Sequence, residues 1–343
     1  MSRKKSTDPE LSAKLSRRNM LGVTAGAGAA ALLGLGAVPA AAQDLAAGKG
    51  GANQPVLPPG RLGIQLYSLR DKVAEIGFAA VFAELERFGY DEVEYAGYTQ
   101  GIGQITVRQL ANLAKGHGLN GIGTHVNYFD NNPDGYSFAT KLEAVLDDAQ
   151  VLGLEHVGTA SSPNRYGNTV DAWKRAAAEF NTYGAAAKAR GMKFYQHNHG
   201  DEFGFATDQP NVRLYDVLLN ETDPALVFLE MDIYWAYTGQ FRFSKTAEGK
   251  PRPFDPLDYV IQNPHRYPLF HVKDGVHDPA ARDGYDMVDV GDGEIDYKTF
   301  IQKVNKTNKG RTTHHWQVEH DQPVDSIEFA HKSADHLHAL RGK

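Results

Sequence analysis

Strand-like and helix-like patterns alternate eight times between residue 62 and the C-terminus, and no other feature limits the fold of this chain so severely. Residues 62–67 read as a short apolar strand, with Ser68 placed to cap a helix that begins near Arg70. Phe78, Val81, Phe82, Leu85 and Phe88 then recur at helical spacing, and Gly89 stops that helix. The same unit repeats as strand 91–95 with helix 106–115, strand 119–125 with amphipathic helix 136–152, and strand 154–159 with the long helix 170–190. Strand 193–199 precedes helix 212–219, and strand 225–233 leads to a short helix at 257–261. Strand 267–273 is followed by a Gly/Asp-rich loop at 274–296 and helix 297–304, and strand 315–319 by a closing helix at 327–340. Eight such units in about 280 residues have the size and order of an α/β (β/α)8 TIM barrel. A doubly wound open sheet is the alternative, and it is weakened by the lack of a Gly-rich phosphate fingerprint after the first strand.

The barrel accounts for residues 61–343 and leaves the N-terminus to be explained separately. Arg17-Arg18 precede an apolar, small-residue run over 22–38, and Ala40-Ala41-Ala42 supplies a small-residue cleavage pattern. Residues 1–42 therefore read as a twin-arginine signal peptide rather than an uncleaved anchor, and the Gly/Ala/Pro-rich segment 43–60 as a linker. The expected location is periplasmic or secreted. The twin-arginine export machinery is then a partner, and it takes cargo already folded around any cofactor. With 343 residues and a net charge of −6, the chain lacks the basic stripe of a nucleic-acid binder. It has no cysteine, which excludes disulfides, thiolate metal sites and cysteine nucleophiles. A homo-oligomer is left open.

In a barrel of this kind, reactive groups come from the carboxyl ends of the strands. Those ends carry Glu94, His125, His197, His199, Asp232, His271 and Glu319. Ligand-type side chains at the tips of strands five to eight, two imidazoles and two carboxylates, suit one divalent ion such as Mn, Zn, Fe or Co. Side chains alternate along a strand, so His197 and His199 share one direction and either is eligible as a ligand. The same alternation pairs Lys273 with His271 and Glu230 with Asp232. Lys273 is then a proton donor or a cation beside a developing oxyanion, and Glu230 is expected to neutralise it from below. Tyr67, Tyr128, Tyr234 and Trp235 lie near strand tips, where aromatic rings stack on sugars or simply pack the rim.

The strings Leu62-Gly63-Ile64-Gln65-Leu66-Tyr67-Ser68-Leu69-Arg70, Val93-Glu94-Tyr95, Glu230-Met231-Asp232-Ile233-Tyr234-Trp235 and His271-Val272-Lys273-Asp274 resemble the sugar phosphate isomerase/epimerase family, whose barrel is xylose isomerase-like. Val290-Gly291-Asp292-Gly293 and Val318-Glu319 extend the resemblance to the C-terminus. It implies a metal-dependent enzyme that shuttles a proton beside a sugar carbonyl, with Asp232, His271 and Glu319 as ligands. The fourth ligand is usually a glutamate in a Glu-Asn-His string. Here the string is His197-Asn198-His199, so His197 takes the ligand position and His199 that of a substrate contact. Epimerases of the family use two metal-bound glutamates as paired acid and base, so this histidine departs from the two-base scheme. It is closer to inosose dehydratase and to exported relatives acting on 3-keto sugars.

Three functions follow. The first is a metal-dependent isomerase or epimerase of a non-phosphorylated sugar, with Glu319 as base, Lys273 and His199 assisting, and Glu94, His125, Tyr67 and Trp235 contacting substrate. The second is a lyase on a 3-keto-glycoside or inosose, which shares the same first proton transfer. The third is a non-catalytic carbohydrate-binding barrel. Export and the lack of a phosphate cradle in the last two strand loops both argue against a sugar phosphate.

Overall fold

The structure, a computed structural model, describes residues 53–98, 105–307 and 314–342. The signal peptide expected at 1–42 and the linker residues 43–52 lie outside the described residues. Eight parallel strands close into a barrel: β1 (Leu62–Gln65), β2 (Glu92–Ala96), β3 (Asn120–His125), β4 (His156–Thr159), β5 (Lys193–His197), β6 (Val227–Asp232), β7 (Leu269–Val272) and, after an inserted hairpin, β10 (His315–Val318). Closure pairs β1 with β10, with Gly63 opposite Gln317 and Ile64 opposite Val318. Around the barrel run α1 (Arg70–Phe88), α2 (Val107–Gly116), α3 (Phe138–Leu152), α4 (Val170–Ala189) and α5 (Leu214–Glu221). Then come α6 (Ile233–Arg242), α7 (Pro256–Gln262), α8 (Tyr297–Thr307) and α9 (Ser326–Ala339).

The ends of these helices follow from local chemistry. Gly89 adopts φ +83°, the left-handed cap that ends α1, and Thr106 opens α2 with a reciprocal capping box to Gln109. Apolar residues on the helices, among them Phe82, Leu85, Leu146, Phe180 and Phe329, pack against the outward faces of the strands. The inward faces hold only a small apolar plug of Ile122, Tyr195 and Leu269, with Phe228 against it. Polar layers lie above and below that plug. Among the described residues, no helix is long and apolar enough to cross a membrane.

The observed elements depart from the sequence pattern in five places. The strand expected at 62–67 ends at Gln65, and Leu66–Leu69 is a 3-10 helix capped by the Gln65 side chain, so Ser68 does not cap α1. β6 ends at Asp232 rather than at residue 233, and Ile233–Arg242 is a helix where strand-favouring residues had hidden one. The cause is the Asp232 carboxylate, whose Oδ1 accepts from Trp235 N at 2.8 Å and caps α6. β5 stops at His197, so His199 stands beyond the strand. The expected loop 274–296 contains an antiparallel hairpin, β8 (Asp274–His277) with β9 (Tyr285–Val288). Buried Asp274 organises it by accepting from the N–H groups of Gly275, Gly291, Gly293 and Ile295. Finally, residues 53–60 pack on the barrel: Pro55 pairs with Arg341, Val56 N donates to Leu340 O at 3.1 Å, and Val56 and Leu57 are buried.

Candidate active site and metal centre

At the carboxyl mouth, His197 closes β5, Asp232 closes β6, His271 sits near the end of β7 and Glu319 follows β10. One ligand atom from each lies within 4.8 Å of the others, and all four residues are buried. Asp232 Oδ2 is 3.8 Å from both His197 Nε2 and His271 Nδ1, and Glu319 Oε2 is 2.6 Å from His271 Nδ1. Asp232 Oδ2, His271 Nδ1 and Glu319 Oε2 converge without a properly directed hydrogen bond. Buried polar atoms are rarely left this way. A divalent cation of the kind bound by imidazole and carboxylate satisfies all of them at once, so this cluster could hold a metal.

Asp232 divides its work. One oxygen caps α6 and the other faces the cluster. Asn198, between the two histidines, fixes the neighbouring tips by donating to Asp232 O at 3.1 Å and accepting from Asp232 N at 3.2 Å.

Beneath the cluster a second tier orients it. His271 Nε2 donates to Glu94 Oε2 at 2.6 Å, which leaves Nδ1 aimed at the cluster. Tyr195 also donates its hydroxyl to Glu94. Gly123 makes room for this pair, since a Cβ there would lie 3.0 Å from the Tyr195 hydroxyl and 3.3 Å from Glu94 Oε1. Glu230 Oε2 is 2.8 Å from His125 Nε2 and 3.3 Å from His197 Nδ1, and its Oε1 is 3.2 Å from His271 Nε2.

Of the four buried carboxylates, Glu94 and Glu230 thus face imidazoles, while Asp232 and Glu319 also meet the Lys273 ammonium. Burial opposes charge on His271, yet without a cation in the cluster Glu230, Glu319 and Glu94 outweigh it and lift its pKa well above the usual imidazole value, so a metal would have to displace the Nδ1 proton. His197 goes the other way: burial, reinforced by His271 and His125, holds it well below. Burial also disfavours charge on Glu94, but His125 and His271 bring its pKa down.

Lys273 Nζ lies 3.0 Å from Asp232 Oδ2, 2.9 Å from Glu319 Oε2 and 2.8 Å from Asp321 Oδ1. Burial works against its charge, and Asp232, Glu319 and Asp321 prevail, so it stays a cation. Glu230, expected to neutralise Lys273 from below, instead serves the imidazoles, and Asp321 takes that part. Asp321 escaped the strand-end pattern although it lies two residues past Glu319, on the same alternation.

The cluster floors an open cavity of about 890 Å³, lined by Lys273, Glu319, His197, His199, His125 and Tyr67 among others. His199 is anchored through its N–H to Glu202 Oε2 at 2.9 Å and leaves its ring half-exposed. Tyr67 is exposed and lies under the Arg70 guanidinium, 3.9 Å away. Glu94, expected to contact substrate, is fully buried below the cluster. Trp235 does not line the cavity and stands behind its wall on α6, with its ring 5.8 Å from that of His199 and 5.4 Å from Lys273 Nζ. Tyr128 and Tyr234 are buried packing residues, hydrogen-bonded to Glu179 and to Tyr285 O.

Comparison with known proteins gives one consistent answer. No protein of curated function matches the chain. A sugar phosphate isomerase/epimerase from Parabacteroides distasonis ATCC 8503 is 25% identical, with a TM-score of 0.63 over 80% of this chain and 97% of that one. The probable 3-DHS dehydratase AsbF of Bacillus anthracis, involved in petrobactin synthesis, superposes with a TM-score of 0.59 at 16% identity, over 81% of this chain and 98% of the other. The IOLI protein, with a zinc atom bound, gives 0.57 at 15% identity over 81% and 96%. At such identities the last two show the fold alone. Residues 71–337 match the sequence pattern of one family over most of the chain, and this protein belongs to the xylose isomerase-like TIM barrel family.

Proposed function

We propose that this protein is a divalent-metal-dependent isomerase or epimerase of a non-phosphorylated sugar, acting by proton abstraction beside a carbonyl. The observation behind it is the Glu319 carboxylate, which faces the ligand cluster while its neighbour Lys273 lies 2.9 Å away at the floor of an open cavity. His197, Asp232, His271 and Glu319 would hold the metal, which when bound polarises a substrate carbonyl and acidifies the adjacent carbon. Glu319 accepts the carbon-bound proton. Lys273, kept charged by three carboxylates, stabilises the negative oxygen that forms. His199, half-exposed on the cavity wall, is placed to return a proton. Arg70 and Lys273 are the permanent cations lining the cavity. Both are engaged: Arg70 donates to Tyr67 O and Asp321 O, and Lys273 to Asp321. This argues against a phosphorylated substrate, and export through the signal at 1–42 fits a sugar met outside the cytoplasm.

A second reading is a lyase on keto-glycosides. It is favoured by His197 standing where a second carboxylate base would be, which leaves Glu319 with an ammonium beside it. Glu319 again takes the carbon-bound proton, and the electron pair then forms a carbon–carbon double bond. The neighbouring carbon–oxygen bond breaks, and the departing oxygen takes a proton from Lys273.

The test is solvent deuterium exchange with keto-sugars and keto-glycosides. Wild-type protein should incorporate deuterium beside the carbonyl before or with turnover, and Glu319→Gln should lose that exchange. Lys273→Met should slow turnover more than exchange if elimination is the reaction. Turnover without solvent deuterium incorporation, with the substrate's own deuterium transferred to the neighbouring carbon, would show the proposal wrong and favour a hydride shift.

A further inference from the structure

The floor of the barrel, opposite the cavity, carries a second set of ligand-type side chains. His156 is the first residue of β4, His315 is the first of β10, and Glu155 immediately precedes His156. One ligand atom from each lies within 4.8 Å of the other two. We infer a second metal site here, formed by the two imidazoles and the Glu155 carboxylate, for an ion of the zinc type.

The hydrogen bonds fix which nitrogens are available. His156 Nδ1 lies 3.0 Å from Ile122 O, and a carbonyl only accepts, so the proton is on Nδ1. Nε2 is then a lone pair. It is buried, has no hydrogen-bond partner, and stands 3.9 Å from Glu155 Oε1. His315 Nδ1 is 2.8 and 2.9 Å from the two oxygens of Glu92, which makes Nδ1 a donor and leaves its Nε2 as the ligating nitrogen. Metal-binding imidazoles regularly hold their other N–H on a carboxylate or a backbone carbonyl, and both arrangements occur here.

Two cations must be accommodated. Lys193 Nζ is 2.6 Å from Glu155 Oε1, and Arg61 Nη1 is 3.4 Å from His315 Nε2. Both side chains reach solvent and can withdraw: Lys193 is 40% exposed and Arg61 33%. Ligands bound to one zinc at ~2.0–2.1 Å lie closer together than 4.8 Å, and half-exposed Glu155 supplies the movement needed. Two imidazoles and one carboxylate select Zn²⁺, Co²⁺ or Ni²⁺ over Mg²⁺ or Ca²⁺. β4 and β10 are not neighbours in the sheet, so a metal here would tie the barrel across its floor.

The experiment is equilibrium dialysis of the full-length chain against Zn²⁺, with bound metal counted by mass spectrometry. His156→Gln should bind one equivalent fewer than wild type. Glu155→Gln, a change at an exposed position that spares the core, should weaken that equivalent at least about tenfold. Asp232→Asn, which alters only the opposite mouth, should leave it in place, so failure of one site is distinguishable from failure of the other. Unchanged stoichiometry and affinity in folded His156→Gln and Glu155→Gln proteins would overturn the assignment.

Discussion

Replacing Glu94 by Gln tests whether the buried tier under the cluster exists to hold the candidate metal ligands in place. The exchange keeps the size of the side chain and removes its charge. In the native site Glu94 Oε2 accepts from His271 Nε2 at 2.6 Å, while the Tyr195 hydroxyl bonds Oε1. A glutamine has one carbonyl oxygen to share between these two donors. If that oxygen stays with Tyr195, the amide NH2 confronts the His271 Nε2–H, donor against donor. His271 must then rotate or move its proton to Nδ1, and either change spoils the lone pair aimed at the cluster. Losing such an outer partner typically costs 10–100-fold in metal affinity, about 1.4–2.7 kcal/mol.

We expect the upper half of that range, because the site is fully buried and no water can replace the lost acceptor. The assay is competition for Zn²⁺ or Mn²⁺ against a calibrated chelator at fixed pH, with melting of the metal-free proteins to confirm folding. Tyr195→Phe is the control. It removes the other hydrogen bond to Glu94 but leaves the carboxylate charged, and should cost less than about tenfold. A folded Glu94→Gln protein that binds within about twofold of wild type would refute the reasoning, since His271 would then need no carboxylate to present Nδ1.

Other consequences are as specific. Asp232→Asn should lose metal but keep the cap on Trp235 N, whereas Asp232→Ala should lose both and be about 1 kcal/mol less stable than the Asn variant in chelator, read by urea denaturation. Gly123→Ala should press a methyl group against the Tyr195 hydroxyl and Glu94, costing about 1–3 kcal/mol and weakening metal binding in the same titration. Replacing Arg17 and Arg18 by Lys should leave folded, active protein in the cytoplasm, checked by fractionation, and unimpaired export would argue against the twin-arginine route.

The barrel was legible because its information is periodic and local. Each strand–helix unit announces itself within about 30 residues, and the strand-tip rule then points to Asp232, His271 and Glu319 without any tertiary knowledge. What stayed hidden depends on closure. Glu94 meets His271 across 177 residues of sequence, and only the order of strands around the barrel brings them together. α6 was hidden for a related reason. Ile233, Tyr234 and Trp235 favour a strand by composition, and the residue that overrules them is the same Asp232 that faces the cluster. One carboxylate, read only as a ligand, concealed the helix it begins.

The distribution of apolar contacts explains how so much polarity survives in the interior. The extensive core lies between the strands and the helices, while the barrel lumen holds Ile122, Tyr195 and Leu269 with Phe228. Folding is therefore driven mainly from the outer shell, where apolar burial is large. The lumen contributes little of that drive, so its layers can be given to carboxylates and imidazoles, provided that they satisfy one another across the barrel. Above the plug they do so incompletely: Asp232 Oδ2, His271 Nδ1 and Glu319 Oε2 are left converging on one point. Below it the same shortfall recurs at His156 Nε2. Thr124 Oγ1, His197 Nδ1, Glu230 Oε1 and Gln317 Oε1 are also buried without a hydrogen bond, so what sets the two places apart is the gathering of imidazole and carboxylate atoms within ligating reach of one another. Substitutions at these positions should accordingly act on metal binding before they act on the fold.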